Sequence, residues 1–316
     1  MTSYLARRLL ILLATLLAAS LVVFLVLQVL PGDPAALMLG TGARADTLAA
    51  LRHQLGLDAP LWLRYLRWIG GLLAGRFGTS YTYSVPVREL IAERVMVSLP
   101  LAVIAIVVST AIAIPVGVLA AARRGRAADA TMMGAAQVGV AIPNFWLGLL
   151  LILLFAIRFP LLPASGFPGW GAGVWPALRA LILPALALAL PQGAILARVT
   201  RAAVIETLGE DFIRTARAKG LSRRAALWRH AVPNALVPVV TLIGLQFSFL
   251  LAGTVIIENV FTLPGLGRLV FQAIAHRDLI VVQDLVVLLA GSVIVVNFLV
   301  DLVVAWIDPR QRRAAA

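Results

Sequence analysis

No cysteine occurs among the 316 residues, and Lys219 is the sole lysine. The first absence excludes a disulfide framework and a thiolate metal site. The second excludes a phosphate loop of the G-x-x-x-x-G-K-[ST] type, because Lys219 is followed by Gly220 and lacks the glycines ahead of it. GGLLAGRF at Gly70–Phe77 has the glycine spacing but ends in Arg76 and Phe77, without the lysine and the hydroxyl. Histidine is scarce: His53, His230 and His276 fall in loops or at the edges of apolar runs, and no HExxH pair exists. An intramembrane hydrolase would need a nucleophile–base pair or paired metal ligands, and the pattern offers neither. A proton-driven carrier acting alone would need ionisable residues near the midplane, and the apolar runs are nearly free of them.

Charge is also in short supply. Charged residues make up 13% of the chain and hydrophobic ones 61%. A soluble domain of this length could not hide so much apolar surface, so the class is a polytopic, all-α membrane protein. The net charge of +13 does not point to nucleic acid, because the arginines flank the apolar runs and read as orientation signals.

Six stretches approach the ~20 residues that a hydrocarbon core demands. They are Leu9–Leu30, Val97–Ala121, Gln137–Ile157, Ala177–Val199, Leu236–Ile257 and Leu285–Ile307. The first follows Arg7 and Arg8, but it is too long for a signal core and no small-residue cleavage site follows, so it reads as a retained helix. With the amino terminus inside, sixteen cations fall on inner segments, among them Arg123, Arg124, Arg126, Arg310, Arg312 and Arg313. Short outer loops hold or border only Arg158, Arg179, Arg268 and Arg277. Both termini are therefore expected in the cytoplasm of a cell (inner) membrane protein. The expected organisation is an N-terminal transmembrane helix over 1–30, an extracytoplasmic region over 31–96, and a core of five spans over 97–316.

Within the outer region, PGDP at Pro31–Pro34 reads as a turn. Asp46 is placed to cap a short helix closing at Gly56, and an amphipathic helix follows Pro60 with Trp62, Tyr65 and Trp68 among arginines. Such a mixture suits a membrane surface or a small external cap. Prolines punctuate the spans at Pro100, Pro115, Pro143, Pro184, Pro191 and Pro238. Asn144 and Gln192 each follow one of them, and Gln246 lies in the fifth span. These three amides are the candidates for the translocation path, with helix-to-helix hydrogen bonding as the alternative. Asp301, near the inner end of the last span, reads as a packing or interface residue.

The longest polar interruption of the second half is Glu206–Pro233, with eight cations counted from Arg198. It reads as two short helices. Glu210 and Asp211 favour the start of the first, Lys219 its end, and Gly220 the left-handed closing position. Ser222 caps the second, which is expected to run to Pro233. Phe212, Ile213 and Ala216 give the first helix an apolar side with something to press against.

Across nearly the whole chain these residues resemble the membrane permease subunit of dipeptide/oligopeptide ABC importers, specifically the first of the paired permeases. The resemblance rests on the PGDP turn, LGLDAPLWLRYLRWIGGLL at Leu55–Leu73, GTSY at Gly78–Tyr81 and AIPNFWLGLLLILLF at Ala141–Phe155. It continues through DFIRTARAKGLSRRAALWRHAVPNALVPVVT at Asp211–Thr241 and ENVFTLPGLGRL at Glu258–Leu269. The chain departs from the pattern at Arg76-Phe77, at Leu279-Ile280 and at Asp284, where a glycine is common.

The resemblance implies a type I ABC importer permease fold with six transmembrane helices and no catalytic role in this chain. It implies that the helix holding Asp211, Phe212, Arg214, Thr215 and Ala216, with Gly220 and Pro233, couples to an ATPase. That helix is expected in a groove of an ATP-binding subunit, with nothing of its own chain to bury against. Implied partners are a second homologous permease, two ATP-binding subunits or domains that bind the ATP and Mg, an extracytoplasmic substrate-binding protein and the lipid bilayer. No cofactor and no metal are expected in this chain. Related systems carry nickel chelates, glutathione or sugars, which remain alternatives to a peptide.

Overall fold

The computed structural model describes residues 2–29, 34–39, 44–54 and 56–307. Three residues of the expected PGDP turn, and the arginines at 310, 312 and 313, lie outside them. The described chain is helical, with one isolated bridge between Thr79 and Pro86. In order the helices are α1 (Thr2–Val29), α2 (Pro34–Leu39), α3 (Ala45–Gln54), α4 (Leu61–Leu73), α5 (Val87–Ala122), α6 (Ala127–Ala141), α7 (Asn144–Ile152), α8 (Val174–Leu208), α9 (Asp211–Ala218), α10 (Arg223–Ala226), α11 (Val232–Val260), α12 (Leu266–Ala275) and α13 (Leu279–Ile307).

Five helical stretches are long and apolar enough to cross a membrane: α1, α5, α8, the run Arg223–Val260 that contains α11, and α13. The sixth expected span is not one rod. Its two halves, α6 and α7 with the π-helical turn Leu153–Arg158, meet at an angle of 100°. Pro143 is the cause, since its ring drives the preceding residue out of the helical region. Ile142 accordingly lies at φ −82°, ψ 122°, and Pro143 stays extended at ψ 136°.

Other prolines do not break their helices. α5 runs through Pro100 and Pro115, and α8 through Pro184 and Pro191. Pro233 does not end its helix either. A π-helical turn, Leu227–Ala231, widens the chain just before it, and α11 continues from there to Val260. A widened turn tolerates a residue that has no N–H for the carbonyl four positions back. Asp46 is likewise not a cap: α3 starts at Ala45, one residue earlier, while Gly56 does close it at φ +66°. α4 forms after Pro60 as expected, and α5 begins at Val87, so the end of the 31–96 region is already helical.

The bundle is built around α8. In its most apolar window 61% of the residues are buried, against 11% in α1. Its main partner is α5, along a seam to which α5 contributes small residues: Ala105, Ser109, Ala113 and Gly117 face Leu188, Gly193, Leu196, Ala197 and Thr200. Lipid tails are as apolar as the helices, so close backbone approach through small residues is what holds such a seam. A Cβ on Gly117 would stand 2.6 Å from the Ala197 carbonyl oxygen and from Thr200 Cβ.

α13 and α1 flank this core. Arg8 donates to the Asp301 carboxylate, which places the start of α1 beside the end of α13. The charge expected to serve packing does so, as half of an ion pair between two peripheral spans. It follows that both ends of the described chain lie on one side of the bundle.

Candidate functional site

The polar interruption folds as one short helix, α9, joined to α10 at Gly220, whose φ of +94° suits glycine best. α10 is not a separate short helix as expected but the first turn of the run that continues through the π turn into α11. Ser222 Oγ accepts from Ala225 N–H at 3.2 Å and so caps α10. α9 stands at the C-terminal ends of α5 and α8, beside the start of α11. Its apolar side divides in a way the spacing did not foresee. Ile213 is 2% exposed and enters a cluster of the chain's own residues, with Val118 and Ala121 of α5, Val204 of α8, and Leu227 and Val232 beyond α10. α9 therefore has its own bed, which corrects the expectation of an apolar side left wholly for another surface.

Phe212 points the other way and remains 44% exposed. Asp211, Arg214, Thr215 and Gly220 are exposed around it, Ala216 is half-buried, and Pro233 is exposed as the second residue of α11. Arg214 and Asp211 pair at 3.2 Å on this open face. The site is thus a short helix riveted by one residue to the ends of three long helices, with an aromatic ring and charges presented outward.

A second device fixes the neighbouring turn. Arg201 of α8 grips Asp129 of α6 through Nε and Nη2 at 2.6 and 2.8 Å, and Gly125 N–H donates to the same carboxylate at 3.0 Å. Sequence reasoning missed this fork. Its signal was available, since Asp129 is the one carboxylate close to Arg123, Arg124 and Arg126. Arg198, one turn before Arg201, donates to Gln137 at 3.0 Å, and an open cavity of about 620 Å³ lies between these parts of α6 and α8.

The three amides are differently placed. Gln246 is 2% exposed and donates through Nε2 to the Gln192 carbonyl at 3.0 Å, so α11 and α8 bring two of the three candidates together. Gln246 Oε1 is buried without a partner among the described residues. Asn144 is half-buried, accepts from Phe145 N–H at 2.8 Å and lies near Gly253 of α11.

The opposite end carries buried acids. Glu258 is fully buried. Its carboxylate accepts from Ser98 Oγ at 2.5 Å and from Arg268 N–H at 3.1 Å, at the start of α12. Asp278 accepts from Ser80 Oγ at 2.5 Å and from Thr82 N–H at 3.0 Å, tying the loop before α5 to the start of α13. Burial, with Asp278 adding to it, pushes the nearby Tyr81 phenol above its ordinary value. Among the described residues no cluster of three or more histidines and acids could hold a metal.

Comparison with known proteins agrees with this geometry. Residues 113–313 match the family model described as binding-protein-dependent transport system inner membrane component, and residues 1–103 match the corresponding N-terminal model. The chain is 40% identical to a probable peptide ABC transporter permease protein of Sinorhizobium fredii, over 98% of this chain and 99% of that one. It is also 40% identical to the dipeptide transport system permease protein DppB of Escherichia coli K12, over 99% of each. A putative peptide transport system permease protein of Brucella abortus is 41% identical, again over 99% of each. Among solved structures, a chain of the methionine ABC transporter MetNI in an inward facing form has a TM-score of 0.55 at 21% identity, covering 69% of this chain and 96% of that one. That likeness concerns the fold, that of a type I ABC importer permease.

Proposed function

The chain belongs to the family of binding-protein-dependent transport system inner membrane components, and from that premise we propose that it is the permease of an ATP-driven importer of dipeptides and oligopeptides. It is a multi-pass inner-membrane transport subunit and no enzyme. The relatives named above, 40–41% identical over nearly the full length, support the peptide as cargo. The fold supports a second homologous permease across the bundle, two ATP-binding subunits that supply ATP and Mg, and an extracytoplasmic binding protein that delivers the cargo. In this reading both termini and α9 are cytoplasmic, and the 31–96 region is extracytoplasmic.

The single observation that carries the coupling role is the split of α9 between Ile213 and Phe212. A helix that only covered its own bundle would bury its aromatic ring. Here the aliphatic residue is buried and the ring is offered outward, together with Asp211, Arg214 and Thr215, with Ala216 half-buried beside them. Nucleotide-driven closure of the ATPase pair would move α9 as a lever. Ile213 would pass the motion to α5, α8 and α11 at once, because one close-packed cluster holds all of them. Gly220 shapes the turn after α9, and Pro233 stands at the start of α11 behind the π turn. The response is a shift between inward- and outward-open arrangements, with no covalent step in this chain. Asn144 and Gln192 remain the proposed polar points of the path. Gln246, buried and bonded to the Gln192 backbone carbonyl, corrects that expectation and takes the alternative role of a helix-to-helix hydrogen bond.

The test is Phe212→Glu in the whole complex, reading co-purification of the ATP-binding subunits and peptide-stimulated ATP hydrolysis. Loss of both with normal membrane insertion is the expected result. Wild-type association and stimulation would remove α9 from the coupling role.

A further inference from the structure

At the end of α1 remote from Arg8, a cavity of about 380 Å³ opens between α1, α4 and the first turns of α13. Transport as described above makes no use of it. Three guanidinium groups line it, from Arg64 and Arg67 on α4 and from Arg76 on the loop that follows. Among the described residues none of the three takes part in a hydrogen bond or an ion pair. Asp284, on the second turn of α13, lines the same cavity and is 2% exposed. Its Oδ1 accepts from Trp68 Nε1 at 2.9 Å, whereas its Oδ2 is buried and has no partner among the described residues. A buried carboxylate oxygen without a donor is costly, and three arginines lining one cavity with no anion in ion-pair distance among the described residues repel one another. Both conditions are relieved by one ligand carrying an anion and a cationic donor.

The setting says what else that ligand has. α1 beside the cavity leaves Leu17, Leu21, Val22 and Leu25 exposed, as a lipid-facing helix does. α4 leaves Leu61, Trp62, Leu66 and Leu73 exposed while Tyr65 and Trp68 turn inward onto Phe24. This is the build of a helix lying in the membrane surface, with its arginines at headgroup level. A ligand reaching the cavity from that surface has acyl chains to lay along α1.

We propose that this cavity binds a phospholipid headgroup whose phosphate carries a primary ammonium, that of phosphatidylethanolamine, with the phosphate between Arg64, Arg67 and Arg76 and the ammonium on Asp284 Oδ2. Guanidinium forks match phosphate oxygens in geometry as well as in charge. A primary ammonium has N–H donors for the open carboxylate oxygen. The quaternary ammonium of phosphatidylcholine has none, and the hydroxyls of phosphatidylglycerol donate without charge. A dipeptide offers the same pair of charges but no acyl chain, so the two sources of this chemistry are separable.

The experiment strips the purified whole complex of lipid in detergent. Dihexanoyl phosphatidylethanolamine, phosphatidylcholine and phosphatidylglycerol, and separately dialanine, are then added, and retention is read by native mass spectrometry. The ethanolamine lipid is expected to be retained at least about tenfold better than the choline lipid, the scale of one charge-assisted hydrogen bond. Asp284→Asn should abolish that preference, and Arg64→Gln with Arg67→Gln should weaken all three lipids together. Equal retention of the three lipids by the wild-type complex overturns the assignment whether or not any variant folds. Ethanolamine preference surviving in Asp284→Asn overturns it as well. Retention of dialanine in place of the ethanolamine lipid, lost in Asp284→Asn, would make the cavity a solute site and end the lipid assignment.

Discussion

Arg201 holds Asp129 by a two-point fork, and Asp129 in turn accepts from the Gly125 backbone, so one carboxylate fastens the turn between α5 and α6 to α8. The fork sits beside the α8 end that also carries Val204, part of the bed of α9. Arg201→Lys keeps the charge and loses the planar pair of donors. It is expected to lower the melting temperature of the purified complex by a few degrees, with Asp129→Asn lowering it further. A melting temperature unchanged in both variants would show that the turn is held by other contacts.

The α5–α8 seam depends on the absence of a side chain at Gly117. Gly117→Val would press a branched carbon on the Ala197 carbonyl and on Thr200, and backbone cannot swing aside as a flexible side chain can. Overpacking of this kind costs about 1–3 kcal/mol. Gly134→Ala, on α6 with open space around it, is the neutral control. Thermal unfolding in detergent should separate the two, and equal stability of both variants would count against a backbone-close seam.

Gly220 tests the geometry of α9 by conformation alone. Nothing lies within 4 Å of a Cβ placed there, so only the positive φ opposes a side chain. Forcing such a backbone on a residue with a Cβ costs about 1–2 kcal/mol, more with a branched one and less with Asn. Gly220→Val should impair ATPase association, Gly220→Asn should spare most of it, and Arg214→Glu, on an exposed pair, should have a smaller effect than Gly220→Val. If the valine and asparagine variants behaved alike, the left-handed turn would not be what orients α9.

Glu258 closes the opposite end by accepting from Ser98 and from the first N–H groups of α12. Glu258→Gln keeps the shape and an acceptor oxygen. Glu258→Ala leaves buried donors unmet, at about 1–3 kcal/mol for each. The alanine variant should therefore unfold at a clearly lower temperature than the glutamine variant. The reverse order would mean that burial of the charge outweighs its hydrogen bonds.

Sidedness is open to direct measurement because the chain has no cysteine. Single cysteines in place of Ser165 and His276, both exposed, should react with an impermeant thiol reagent from outside, and those in place of Arg124 and Ser222 should not. Gly265 lies at the same end of the bundle but is a poor probe, since a Cβ there would stand 2.2 Å from the Glu258 carboxyl carbon. Outside labelling at Ser222 would invert the orientation and withdraw α9 from the cytoplasm.

Much of this protein was legible in its residues one stretch at a time. Long apolar runs dictate membrane helices because the bilayer gives backbone groups no other partner. Gly220 and Ser222 announce the turn and the cap of the polar segment through their own conformational and hydrogen-bonding chemistry. What a linear reading could not supply was which prolines bend the chain. Pro143 breaks a span at 100°, Pro191 lies inside an unbroken helix, and Pro233 follows a π turn, although each removes the same N–H. Nor could it foresee that Ile213 is buried and Phe212 exposed, or that Arg201 meets Asp129 from 72 residues away. Local chemistry fixes what a segment is able to form. Which face it buries, and which distant charge it meets, is set by the shape of its neighbours, and that shape exists only once the helices have packed.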